Sequence, residues 1–230
     1  MHHLSKRLSS VVSYVSNGNK VADIGCDHAF TSIHLIRSGI ASSVLASDVN
    51  DGPLVIAEKN IRMSGLDSQI EVRKSNGLTE ITTRDNIDTI LISGMGGYLI
   101  IDILNSNIAV RDNAKELILQ PQSDIHNVRY YLHDNGFSII DEMMVYEDSK
   151  YYNIIKAVPG NQSYDNEFEY LYGKALIDNR DEVFKDYIKN IYKTNAAIMS
   201  RLTGNEKQKD RLCELEKENE YIKHLLEIIM

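Results

Sequence analysis

The residues best suited to chemistry lie where two predicted strands end. Gly25 follows the strand-like run Val21-Ala22-Asp23-Ile24, and the acid Asp48 ends the next strand-like run. A carboxylate at the tip of the second strand of an α/β sheet can accept hydrogen bonds from a ribose diol, and a glycine after the first strand lets backbone approach the ligand. This pair therefore predicts a site for a nucleoside cofactor.

The turn after the first strand distinguishes among nucleoside cofactors. Dinucleotide enzymes use Gly-x-Gly-x-x-Gly so that amides at a helix N-terminus can hold a pyrophosphate. This chain instead reads Gly25-Cys26-Asp27-His28-Ala29, with an acid where the phosphate would lie. S-adenosylmethionine, a cation that carries ribose but no phosphate, fits this loop better than NAD or ATP.

A second glycine-rich sequence, Ser93-Gly94-Met95-Gly96-Gly97, follows another strand-like run. No Lys-Ser or Lys-Thr comes after it, which excludes a P-loop. Because ligands of α/β sheets bind at the carboxyl ends of the strands, we expect this glycine segment, residues 94–97, to receive the acceptor substrate. Asn76-Gly77 follows a third strand at the same edge, although it is also a common turn pair.

The composition is that of an ordinary globular chain. Its 230 residues are 43% hydrophobic and 25% charged, enough for one α/β domain and a modest appendage. Since the sequence has neither an apolar run of roughly 20 residues nor an apolar leader, we expect a cytoplasmic protein with no membrane partner. Cys26 and Cys213 lack metal-ligand spacing, which predicts free thiols and no metal.

The net charge and the distribution of lysines point in different directions on whether the protein binds nucleic acid. A formal net charge of −8 argues mildly against a nucleic-acid partner. Lys185, Lys189 and Lys193 nevertheless recur at i, i+4 spacing, which is typical either of a basic stripe or of a solvated helix face.

Strand-like and helical runs alternate up to about residue 135. We expect strands over residues 20–24, 43–49, 70–74, 87–92 and 116–120, with helices over 4–15, 29–38, 53–64, 98–104 and 125–135. Two further strand-like runs, 137–146 and 151–158, are joined by so short a turn that they must pair antiparallel. This α/β pattern, a mostly parallel sheet closed by an antiparallel hairpin, resembles the Rossmann-like class I methyltransferase fold.

A break at residues 159–163 predicts two domains, 1–160 and 161–230. Beyond it, two heptad patterns with Asn195 and Asn219 at seam positions predict a C-terminal helical coiled-coil hairpin joined near residues 203–205. The second pattern places Leu212, Leu215, Asn219, Ile222, Leu226 and Ile229 on the seam. Dimerisation through this segment is the alternative, so we expect a monomer or weak dimer.

Several motifs together resemble the bacterial TrmK-type tRNA adenine-N1 methyltransferases. They are Leu4-Ser5-Lys6-Arg7-Leu8, Ala22-Asp23-Ile24-Gly25, Asp27-His28-Ala29, Asp48-Val49-Asn50, Gly94-Met95-Gly96-Gly97 and Leu119-Gln120-Pro121. The similarity runs from about residue 4 to 158. Phe30-Thr31-Ser32 departs from the family's usual Tyr-Leu-Pro, and Asn76 stands where the family has Asp.

The resemblance implies S-adenosylmethionine as cofactor and tRNA adenine 22 as substrate. Asp23 would hold the methionine ammonium, unless it only caps the strand, and Asp48 would bind the ribose. His28 could contact a ligand or make a local hydrogen bond. The full set of cofactor candidates is Asp23, Gly25, Cys26, His28, Asp48, Val49, Asn76 and Gly77.

The implied reaction needs alignment more than a strong base, because adenine N1 carries an in-plane lone pair. The base must be unpaired or flipped to react. Candidate catalytic residues are Gly94, Met95, Gly96 and Asp27, and candidate tRNA contacts are Lys6, Arg7, Arg37, Lys185, Lys189 and Lys193. Two alternatives stay open: methylation of a small molecule or protein, and a coiled-coil interaction protein that keeps only a cofactor-binding shell.

Overall fold

The computed structural model describes residues 4–202 and 208–230, so the expected link near residues 203–205 lies outside the described residues. The chain divides into two compact units, the first ending at Ser163 and the second beginning at Tyr164. In the part of the chain that the structure describes, no helix is long and apolar enough to cross a membrane.

One seven-stranded sheet forms the centre of the first unit, in the order β3-β2-β1-β4-β5-β7-β6. The strands are β1 (Lys20–Ile24), β2 (Ser43–Asp48), β3 (Ile70–Lys74), β4 (Thr89–Met95), β5 (Glu116–Pro121), β6 (Phe137–Glu147) and β7 (Lys150–Pro159). Neighbours among β1 to β5 pair parallel, whereas β7 pairs antiparallel with both β5 and β6. The expected fold class, a mostly parallel sheet closed by an antiparallel hairpin, is therefore confirmed.

Six helices accompany the sheet: one precedes β1, four lie between the parallel strands and one leads from β5 to β6. They are α1 (Lys6–Ser13), α2 (Phe30–Arg37), α3 (Asp51–Met63), α4 (Gly97–Asn105), α5 (Ile108–Asn113) and α6 (Ile125–Asp134). The sequence pattern did not predict α5, which is only 6 residues long. The β6–β7 hairpin turns through Asp148 and Ser149, whose φ values of 49° and 61° suit a two-residue connection.

A buried carboxylate joins four parts of this unit. Glu116, at the start of β5, accepts from Ser16 N at 2.9 Å, Ser16 Oγ at 2.6 Å and Thr89 Oγ1 at 2.7 Å. Lys156 Nζ of β7 lies 3.0 Å from its Oε2. Although burial acts to raise it, the pKa of Glu116 is lowered because these donors stabilise the charged form.

The second unit is helical. Short helices α7 (Glu167–Tyr172) and α8 (Lys174–Asp178) precede two long ones, α9 (Glu182–Leu202) and α10 (Lys209–Ile229), which contact each other. Asn195 and Asn219 are buried, as expected for seam positions. Leu225, rather than the expected Leu226, is the buried leucine near the end of α10. Leu225 and Leu226 both lie three or four residues from Ile222 and Ile229, so the helical pattern allowed either leucine to be the buried one.

Glu116→Ala should lower the free energy of unfolding by about 3–5 kcal/mol, because Lys156 would be left as a partly buried cation without its acid. Urea denaturation measures the change. Asp67→Ala, which removes only the exposed partner of Arg62, is the matched control and should cost less than about 1 kcal/mol. Equal effects of the two substitutions would contradict the role of Glu116.

Candidate functional site

The loop after β1 is fastened to the end of β2. The backbone N–H groups of Gly25 and Cys26 both donate to Ser47 O, at 2.8 and 2.9 Å. Gly25 adopts a φ of 73°, a conformation that favours glycine. Since Asp48 directly follows Ser47, these bonds bring the glycine turn and the strand-end acid to one edge of the sheet, as the sequence predicted.

His28 lies between two residues with left-handed backbone, Asp27 at φ 50° and Ala29 at φ 59°. Asn60 Nδ2 of α3 donates to His28 O at 3.0 Å, and His28 Nε2 lies 3.4 Å from Asp27 Oδ1. Non-glycine residues in this conformation are uncommon and often mark functional loops. The loop is thus held in one shape, with the Asp27 side chain exposed.

Asp23 is a buried acid at the end of β1. Ser32 Oγ of α2 donates to its Oδ2 at 2.6 Å. Burial raises the pKa of Asp23 to about 6, although the Ser32 hydroxyl opposes the shift. Sequence reasoning noted Ser32 only as a departure from the family pattern, and the i, i+9 spacing gave no signal that it would bind Asp23.

Asp48 is half-buried, and its Oδ1 accepts from Asn50 N at 2.9 Å. This bond orients the carboxylate at the strand tip. Val49, next to it, is exposed. Asp48 is not the residue that caps α3, since that position belongs to Asn50.

Cys26 is a buried thiol among acids. Burial raises its pKa, and the carboxylates of Asp23, Asp48 and Asp27 raise it further. It is a free cysteine, as is Cys213, which confirms that expectation. Three carboxylates close enough to act on one thiol make this edge of the sheet a favourable place for a cation.

Asn76 and Gly77 form a turn after β3. Asn76 is exposed, and Gly77 is buried with φ 62°. A Cβ at Gly77 would lie 3.1 Å from Ser106 Oγ and 3.2 Å from an Ile103 side-chain carbon. This packing gives Gly77 a structural reason to be glycine, and its contact with a cofactor stays a prediction.

The glycine segment begins inside β4, not after it, because Met95 still pairs with Pro121 of β5 while Gly94 lies at the bulge between Ser93 and Met95. Gly94 has φ 79°, and its N–H donates to Gln120 Oε1 at 3.1 Å. Gly97 begins α4 so close to the next loop that a Cβ there would lie 2.6 Å from Ser123 O. Gly96 has an ordinary extended backbone, and its Cβ would lie 3.2 Å from Ser123 Oγ.

The Met95 side chain reaches the β1 loop. A Cβ added at Gly25 would overlap the terminal methyl group of Met95. The glycine segment and the loop after β1 are therefore in direct contact. Beyond Gly97, Tyr98 is 60% exposed, and Asn127 Nδ2 of α6 donates to its hydroxyl at 2.9 Å. Neither contact has a signal in the sequence, because each joins residues far apart in the chain.

The predicted tRNA contacts have different surroundings. In the first unit, Lys6 and Arg37 are exposed, and Arg7 Nη1 donates to Gln120 Oε1 at 2.6 Å beside the glycine segment. In the second, Lys185 lies 2.6 Å from Glu182 and its side chain is only 14% exposed. Lys189 lies 3.8 Å from Asp186, and Lys193 is exposed. The ion pairs of Lys185 and Lys189 both lie within α9, and contact of these lysines with tRNA stays a prediction.

Within residues 4–202 and 208–230, no group of three or more His, Cys, Asp or Glu residues could hold a metal ion.

Comparisons with known proteins agree with this geometry. The family model for tRNA (adenine(22)-N(1))-methyltransferases, TrmK, matches residues 21–224. The tRNA (adenine(22)-N(1))-methyltransferase of Bacillus subtilis is 33% identical over 97% of both chains. A Streptococcus pneumoniae structure in complex with S-adenosyl-L-methionine has a TM-score of 0.87 at 31% identity, covering 97% of this chain and 100% of that one. M. capricolum TrmK in complex with S-adenosyl-homocysteine gives 0.85 at 28% identity, covering 100% of both.

Asp23→Asn should remove a pH dependence of stability. The unfolded chain releases the Asp23 proton near the ordinary pKa of 3.8, whereas the folded protein keeps it up to about pH 6. The Asp23 contribution to the free energy of unfolding therefore falls as pH rises from about 4 to 6, by on the order of 3 kcal/mol, and is level above that. Urea denaturation of both proteins across this range measures it, and a wild-type minus variant difference independent of pH would contradict it.

Proposed function

Since the chain belongs to the TrmK family of tRNA (adenine(22)-N(1))-methyltransferases, we propose that its β1 and β2 ends hold S-adenosylmethionine while the glycine segment receives adenine 22. The observation that carries this assignment is the contact of Met95 with Gly25, which joins the two halves of the site. Asp23 would bind the methionine ammonium and Asp48 the ribose hydroxyls. Gly25, Cys26, His28, Val49, Asn76 and Gly77 complete the proposed cofactor contacts.

Bound S-adenosylmethionine would supply an electrophilic methyl group. The protein then has to align adenine N1 with that group and exclude water, and no side chain needs to remove a proton first. Positive charge appears on the adenine ring as N1 gains the methyl group. Asp27, whose carboxylate is exposed on the fixed loop, would stabilise that charge electrostatically.

The acceptor would enter as a flipped base. Gly94, Met95 and Gly96 would surround it, because glycine backbone can approach a planar ring closely. Lys6, Arg7 and Arg37 would contact the tRNA backbone from the first unit, and Lys185, Lys189 and Lys193 from the second. The first unit would thus bind the cofactor and part of the tRNA, and the second unit would bind another part of the tRNA. The enzyme would be cytoplasmic and a monomer or weak dimer.

Nucleoside mass spectrometry of tRNA tests the proposed methylation. Incubation with tRNA and S-adenosylmethionine should give 1-methyladenosine, and a tRNA with guanine at position 22 should give none.

Asp48→Ala should weaken cofactor affinity at least tenfold, because charge-assisted hydrogen bonds to the ribose contribute roughly 1.5–3 kcal/mol each. Asp51→Ala, which removes the exposed partner of Lys74 nearby, is the matched control. Equal affinity of the two variants would remove Asp48 from the site.

Gly96→Ala should lower turnover much more than cofactor affinity. Its backbone conformation allows alanine, and the added Cβ requires a small movement of Ser123 Oγ. A displacement of about 1 Å at the acceptor costs on the order of a hundredfold in rate. Cofactor titration and single-turnover methylation separate the two effects. A variant that binds cofactor poorly yet methylates normally at saturating cofactor would place Gly96 in the cofactor half.

A further inference from the structure

Arg7 is held beside the glycine segment by uncharged groups. Its Nη1 donates to Gln120 Oε1 at 2.6 Å, and its guanidinium carbon lies 5.3 Å from the centre of the Tyr152 ring. Glu147 accepts from the Arg7 backbone N–H, not from the side chain. Among the described residues, no carboxylate oxygen lies within 4.0 Å of the Arg7 guanidinium nitrogens, whereas Arg73, Arg111 and Arg129 all have such a partner.

Gln120 connects this cation to the reaction site. Its side chain is fully buried, and the oxygen that accepts from Arg7 also accepts from Gly94 N at 3.1 Å. Its Nε2 donates to Pro121 O, at 3.3 Å, which agrees with the amide orientation that the two donors require. One buried carboxamide oxygen therefore fixes both the start of the glycine segment and the direction of the Arg7 side chain.

A carboxylate at position 120 could accept the same two hydrogen bonds. It would also form an ion pair with Arg7, and an ion pair with little net charge would attract a phosphate only weakly. The neutral carboxamide orients the guanidinium without forming an ion pair with it. Arg7 has several N–H donors besides the one given to Gln120, in the planar arrangement that suits a phosphate.

We propose that Arg7 binds the tRNA phosphate next to the adenine that enters the glycine segment, and that Gln120 is the positioning residue that keeps this cation oriented and charged. The inference rests on the proposed function and deepens it. A flipped nucleotide remains joined to its backbone, so a cation beside the base pocket meets the adjoining phosphate.

Gln120→Glu tests the charge, because it keeps an oxygen that can accept from both Arg7 and Gly94 and pairs Arg7 with a carboxylate, while it loses only the donation to Pro121 O. For Arg7→Gln and Gln120→Glu alike, the KM for tRNA should rise about tenfold, with cofactor affinity unchanged. The slope of log kcat/KM against log salt should become shallower by about one in each variant, as one phosphate contact is lost. Adding Gln120→Glu to Arg7→Gln should change neither value further.

Arg62→Gln is the matched control. It removes an exposed arginine at the end of α3 remote from the strand-end site and should leave KM and slope at wild-type values. Thermal melting and cofactor titration establish that each variant is folded. If Gln120→Glu does not fold, the Arg7→Gln slope decides, and a wild-type slope overturns the proposal.

Two other results would also overturn it. A Gln120→Glu variant with wild-type KM and slope would show that Arg7 needs no free charge. One with lower kcat but unchanged KM and slope would confine Gln120 to shaping the glycine segment. Failure of the wild-type protein to form 1-methyladenosine would instead count against the proposed function, so the two failures are distinguishable.

Discussion

The position of the N-terminal helix depends on acids that belong to the sheet. Helix α1 is only 8 residues long, too short to be stable alone, and its first N–H groups need acceptors. Glu147 at the end of β6 accepts from Lys6 N and Arg7 N, at 2.6 and 3.3 Å. Glu116 binds Ser16 just beyond the other end. Because both ends are fixed, Arg7 is held at the edge of the sheet where the strands end.

Electrostatics explain why this edge suits a sulfonium cofactor. The acids at the ends of β1 and β2, together with the one in the loop between them, place negative charge around a buried thiol. A pyrophosphate would be repelled there, whereas a ligand with a sulfonium and an ammonium group would be attracted. Asp23 itself is protonated in part near neutral pH because it is buried, so a bound ammonium would favour its charged form.

The sequence predicted what local rules determine. Gly25 and Asp48 could be placed because a turn with positive φ and a strand-end acid have recognisable residue types, and the strands could be placed from alternation of elements. Ser32 with Asp23, and Met95 with Gly25, could not be paired, since tertiary contacts between distant residues leave no periodic pattern. Leu225 was missed for a different reason: one apolar residue follows another in α10, and packing alone chooses between them.

The two cysteines make the protein chemically asymmetric. Thiol-selective reagents attack the thiolate, which burial and neighbouring carboxylates suppress at Cys26. Cys213 is exposed on α10. A maleimide dye added to the unmodified protein would therefore attach to the helical unit and leave the loop after β1 untouched. The sequence thus provides a single labelling position, and it lies in the helical unit.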